Sequence, residues 1–209
     1  MLKIKLITLL FLLVTFDGIA QSFKPVSDPG KVGASLKRSS EAANTIQADF
    51  QEEKVMAVLR NSERSSGVFY YKKNDKMRWE QQIPVKYVIL INGDKLRVQE
   101  AGKEKNVGQA GRIAGQIKEL MMGLVNGDFQ NNKAFKQTIS ENPTAYLVTL
   151  VPVSKRLKNV YAKIDLLFAK NNLRLKELTF FQKDGDKSIL RFTNEKVNEP
   201  IAESVFVNL

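Results

Sequence analysis

The sequence predicts one antiparallel β-sheet, curled into a barrel or half-barrel and accompanied by helices. Three observations carry this. Short stretches of period-two alternation recur along the chain, Asn, Asp and Gly turn signals separate them, and a helical period surfaces only twice. At 209 residues the chain suits a single domain with a sizeable core.

The first stretch lies outside that fold. Lys3 and Lys5 precede an eleven-residue run, Leu6 to Phe16, made almost wholly of Leu, Ile, Phe and Val. Gly18 and Ala20 then occupy small-residue positions before Gln21, the pattern of a secretory signal peptide cut after Ala20. The run is far shorter than the ~20 apolar residues of a membrane-spanning helix. Residues 1–20 are therefore read as a signal peptide and 21–209 as one domain. There is no cysteine, so no disulfide framework braces an exported chain. A bacterial-type lipid anchor likewise has no attachment point after the cleavage site. The expected location is the periplasm.

Each element follows in order. Asp28-Pro29 supplies a side-chain acceptor at the cap and a proline in the first turn, which starts a helix running to about Asn44. Val32, Leu36 and Ala43 face inward on it. From Ile46 the period becomes two: IQADFQ, GVFYYKK, KMRWEQQ, KYVILI and KLRVQE read as strands. Asn74-Asp75, Pro84 and Asn92-Gly93-Asp94 are the turns between them. After residue 134 come AFKQTIS, AYLVTLV, VYAKIDLLF, LRLKELTFFQ, SILRFTN and ESVFVNL, with turns at Asn171-Asn172 and Asp184-Gly185-Asp186. In LRLKELTFFQ the apolar positions slip between Leu175 and Leu178, which predicts a bulge near Glu177. Between the two strand sets, residues 108–128 carry Ile113, Ile117, Leu120, Met121 and Leu124 at helical spacing. This predicts a helix across the mouth or concave face of the sheet.

The formal charge is +11, with the lysines spread along the chain and no dense basic block. That balance suits a solubilising surface or transient contact with an anionic membrane surface, and export argues against nucleic acid. Histidine is absent along with cysteine, which removes the commonest general base and the preferred zinc ligands. Glu52-Glu53 are strand neighbours pointing to opposite faces, and Asp184/Asp186 belong to a turn. Gly108, Gly111 and Gly115 match neither phosphate-binding spacing. The expectation is no enzyme, no metal site and no cofactor.

KMRWEQQIP, residues 76–84, holds the single tryptophan. Met77 and Trp79 share one strand face, with Arg78 pointing out on the other. An inward tryptophan on a curved sheet either walls a cavity or packs a solid core, and its spacing leaves both open.

ADFQEEK (48–54), SGVFYYKKNDKMRWEQQIP (66–84), YVILINGDKL (87–96), LMMGLVNGD (120–128), YLVTLVP (146–152) and RFTNEKVNEPIAESVFVNL (191–209) narrow the choice. In this order they resemble the periplasmic outer-membrane lipoprotein carrier family, the LolA-like proteins. The resemblance implies a mainly β fold, a strongly curved antiparallel incomplete β-barrel covered by an α-helical lid. It implies a monomeric carrier taking acylated lipoproteins from an inner-membrane ABC transporter to an outer-membrane acceptor. The missing anchor cysteine matches the soluble carrier. An acyl-chain cavity would be lined by Phe50, Met77, Trp79, Ile89, Ile117, Leu120, Met121, Leu124 and Phe168. Lys73 falls where many members carry an arginine that clasps the lid, and Asn74 replaces the proline that usually follows. The alternatives are a carrier of another acylated lipid, or a lipid-sensing or structural envelope protein on the same fold.

Overall fold

The computed structural model describes residues 22–57, 62–106, 123 and 133–209. The expected signal peptide at residues 1–20 and the helix expected at 108–128, with Ile117, Leu120, Met121 and Leu124, lie outside them, Gly123 excepted.

After a two-residue strand β1 (Lys24–Pro25), helix α1 spans Pro29–Glu41. The Asp28 side chain accepts the Lys31 N–H at 2.8 Å and Pro29 sits in the first turn, so the helix starts where expected. It stops three residues before the expected Asn44. Ala43 N–H turns back to the Ser40 carbonyl, a tight closing turn that buries Ala43. Strands β2 (Thr45–Val55), β3 (Ser62–Lys72), β4 (Lys76–Ile83), β5 (Tyr87–Asn92), β6 (Lys95–Glu100) and β7 (Lys103–Lys105) form a meander. A second meander contains β8 (Phe135–Glu141), β9 (Ala145–Pro152), a short helix α2 (Lys155–Lys158), β10 (Tyr161–Ala169), β11 (Leu175–Gln182) and β12 (Lys187–Val197).

Pairing of β12 with β2 joins the two meanders into one twelve-stranded sheet, ordered β1-β8-β9-β10-β11-β12-β2-β3-β4-β5-β6-β7. Every pairing is antiparallel. The sheet does not close: it ends on β1 and β7, both very short. Among the described residues no helix is long and apolar enough to cross a membrane.

The expected bulge is present. Leu167 pairs with Glu177 and Phe168 with Leu175, so Lys176 is the extra residue. That single insertion returns Leu175, Leu178 and Phe180 to one core despite their broken alternation.

One expected strand is not a strand. In ESVFVNL, residues Glu203–Phe206 form a turn of 3-10 helix packed on the face of β4 and β5 opposite the core. Its carbonyls are taken by side chains of the sheet. Arg78 donates to Val205 (3.3 Å) and Asn208, Asn92 donates to Phe206 (3.2 Å), and Arg97 donates to Val207 (3.0 Å). Phe206 is fully buried there, and Glu203 sits between Lys72 and Lys76. Their ammonium groups hold its carboxyl at about 2, below the usual 4.5. This cover explains β5, where Val88 and Leu90 are as buried as Ile89 and Ile91. It also corrects the reading of Arg78, which faces away from the core but is only 8% exposed.

Candidate functional site

On the core face one apolar cluster runs from Ile139 and Val148 through Leu166, Leu178 and Phe50 to Ile91, with Leu36 of α1 packed on it. Its aromatic centre depends on small residues. Phe50 stacks on Trp79 with ring centroids 3.8 Å apart, although β3 lies between their strands. The residue opposite Phe50 on β3 is Gly67. A Cβ there would meet the Glu80 carbonyl oxygen at 1.9 Å and Gln81 Cα at 2.8 Å. Only glycine permits that approach, and the register slips by one residue beside it, between Ser66 and Gly67. Similarly Phe69 meets Phe192 edge-on at 6.3 Å across β2, where Ala48 faces Phe69. Rings that bridge over a middle strand mark a sheet bent toward its core face.

Beside these rings the described residues line a pocket of about 60 Å³. Its walls are Ile46, Ala48, Phe69, Phe168, Leu173, Leu175 and Phe192, and its polar rim is Ser40, Arg174 and Glu195. Glu195 arrives through a second bulge: Thr193 pairs with Asp49 and Lys196 with Gln47, so Asn194 and Glu195 together oppose Ala48. Asn194 takes a positive φ of 51° and donates to Asp49 at 2.7 Å. Burial pushes the Glu195 carboxyl up, against the pull of Lys176 and Arg174.

Helix α1 closes one side of this pocket through three bonds. Arg174 donates to the Ser39 carbonyl (3.3 Å), the Ser39 hydroxyl donates to the Leu173 carbonyl (3.5 Å), and Lys73 Nζ donates to the Glu41 carbonyl (2.5 Å). The last is a cation on the negative end of the helix dipole. Leu173 holds a φ of 56°, a left-handed conformation that costs a leucine of order 1–3 kcal/mol, while its side chain fills the pocket wall.

Of the residues expected to line a cavity, Phe168 borders this pocket. Phe50, Met77, Trp79 and Ile89 lie in the packed core beside it, Trp79 being 9% exposed. Residue 73 touches α1, whereas the helix at 108–128 is outside the described residues. Sequence reasoning missed Phe69, Leu173, Leu175, Phe192 and Glu195 as pocket residues. The apolar slip in 173–180 was the available signal for two of them. Among the described residues no group of His, Cys, Asp or Glu side chains converges as a metal site.

Residues 41–208 match the family model described as "Outer membrane lipoprotein carrier protein LolA". The chain belongs to the LolA family. The outer-membrane lipoprotein carrier protein of Coxiella burnetii (strain RSA 331 / Henzerling II) is 28% identical over 172 residues, 78% of this chain and 75% of that one. The protein of that description from Methylococcus capsulatus (strain ATCC 33009 / NCIMB 11132 / Bath) is 28% identical over 124 residues, 57% of each chain. Among solved structures, that of MucB shares the fold with a TM-score of 0.51 at 13% identity, over 88% of this chain and 64% of MucB. The LolA-like family and the open, bent antiparallel sheet agree with the sequence reading.

Proposed function

We propose that this LolA-family protein is a periplasmic carrier. It shields the acyl chains of lipoproteins on its core face and moves them from an inner-membrane ABC transporter to an outer-membrane acceptor. The observation that carries this is the apolar pocket beside α1, a helix packed through Leu36 on the core and tied at its C-terminal end by the bonds from Lys73, Ser39 and Arg174. Acyl chain is the ligand class that such a wall suits. Each methylene moved from water gains ~0.8 kcal/mol, so a dozen gain on the order of 10 kcal/mol with no polar contact needed.

At about 60 Å³ the pocket as it stands is too small for an acyl chain. For scale, an apolar cavity of ~150 Å³ takes up a single benzene. Cargo enters when Lys73, Ser39 and Arg174 release α1 and the strained Leu173 swings from the wall. Ile117, Leu120, Met121 and Leu124 add a second apolar cover in this reading, and export follows cleavage after Ala20.

The test is titration with a triacylated lipopeptide whose chains carry bromine, read by quenching of Trp79. The native protein should bind and quench. Leu175→Glu puts a carboxylate on the half-buried pocket wall and should weaken binding at least about tenfold while circular dichroism stays native. Native protein that ignores the lipopeptide, or a folded Leu175→Glu variant that binds it normally, would overturn the assignment.

A further inference from the structure

The large apolar side chains left exposed are not scattered. Among the described residues there are eight, and six of them, Val55, Ile83, Val85, Val151, Val153 and Val160, gather at one end of the sheet. There β2 hands over to β3, β4 to β5, β9 to β10 and β11 to β12. Backbone bonds knit most of these loops into a continuous rim: Val153 N–H to Ala134 carbonyl (2.7 Å) and Lys183 N–H to Val160 carbonyl (3.1 Å). Ala57 N–H reaches the Asp186 carboxylate at 3.0 Å.

Lysines stand between the apolar tips. Lys136 pairs across the ladder with Val151, α2 presents Lys155 and Lys158 beside Val153 and Val160, and Lys183 follows β11. All four are exposed. None meets a carboxylate among the described residues, while most lysines elsewhere on the sheet do. Of the local acids, Asp184 and Asp186 each hold a backbone N–H, and Glu63 alone is uncommitted.

We propose that this rim docks the protein on a bilayer surface bearing anionic lipid headgroups. Charge complementarity points to lipid over a protein partner. Protein interfaces are poor in lysine and rich in aromatic anchors, whereas the tips here are aliphatic and, among the described residues, the cations between them that lack a carboxylate partner are lysines. Short aliphatic tips reach the headgroup boundary while the lysines meet phosphate oxygens. The contact goes beyond the carrier reading, since it needs no cargo and uses the end of the sheet away from the α1 clasp.

The test is co-sedimentation of the empty protein with vesicles of phosphatidylcholine containing about 30 mol % phosphatidylglycerol, against phosphatidylcholine alone. The native protein should bind the anionic vesicles and lose them in high salt. Changing Lys136, Lys155, Lys158 and Lys183 together to glutamine should weaken binding about a hundredfold. The same change at Lys24, Lys31, Arg38 and Lys95, away from this rim, should cost less than about fivefold. Val85→Ser with Val153→Ser should weaken it about tenfold. Equal losses from the two cation sets would show general charge attraction and overturn the rim, as would native protein that ignores the anionic vesicles. The vesicles carry no lipopeptide, so failure here is distinct from failure of the carrier assignment.

Discussion

The two ends of the sheet are built from the same connections, strand to antiparallel strand, yet their residues obey different rules. At one end the turns are Asn74-Asp75, Gly93, Asn142-Pro143-Thr144 and Asn171-Asn172. Several residue choices there have a backbone reason. Asn74 and Asp75 hold φ of 70° and 56°, Gly93 holds 59°, and the Asn142 carboxamide oxygen accepts the N–H groups of Thr144 and Ala145. At the other end Ile83 is 61% exposed and Val85, Val153 and Val160 stand in water with no such reason. The contrast teaches which residues folding requires. Both ends use turn chemistry, as Gly185 at a φ of 93° between β11 and β12 shows, but the apolar end also gathers large exposed side chains that the fold does not use.

The strongest way to break that contrast is to disturb the strand pair that shapes the apolar end. The register slip beside Gly67 turns the end of β4 and so places Ile83 and Val85. Gly67→Ala drives a Cβ into β4 backbone, with no flexible side chain to give way. The expected loss is about 3 kcal/mol or more, measured by urea unfolding, with the Phe50–Trp79 stack lost from near-ultraviolet circular dichroism. A variant as stable as the native chain would show that the close approach is not needed.

The second effect is smaller and compares the ends directly. Asn74→Ala forces an alanine to a φ of 70°, which should cost roughly 1 kcal/mol. Val85→Ser at the apolar end should stay within about 0.5 kcal/mol of native. Thermal melts of the two variants side by side decide this. Equal destabilisation would mean that the exposed valine has a structural role after all. At that φ residue 74 cannot be proline, whose ring fixes φ near −65°.

What the sequence made legible follows the same division. Hairpin turns, the α1 cap and the Lys176 bulge are local: positive φ favours Asn, Asp or Gly, and an apolar slip needs an extra residue. ESVFVNL misled because Val205 and Val207 imitate period two, while Arg78 and Arg97, more than a hundred positions away, supply the bonds that make it a 3-10 turn. Arg78 looked solvent-facing for the same reason, since nothing near it in sequence announces its cover. In the pocket, Phe168 is a residue that the family resemblance implies. Glu195 is not, because its turn inward depends on the bulge opposite Ala48 on a strand almost 150 residues earlier.

Glu195 offers the smallest effect and the finest test of the polar end. Its carboxyl is raised by burial at the pocket mouth, so the folded chain binds that proton more tightly than the unfolded chain, whose value is near 4.5. Stability from this group is therefore complete below the ordinary carboxylate range and is lost as pH rises through the raised value. Glu195→Gln removes the titration while keeping the shape. The variant should gain stability relative to native above that window and match it below, with the 3.7 Å pair to Lys176 a minor loss against the relief of desolvation. Urea unfolding from about pH 4 to about pH 8 reads the difference. A constant offset between the two chains at all pH values would mean that residue 195 acts through packing, and that its charge is not held at the pocket mouth.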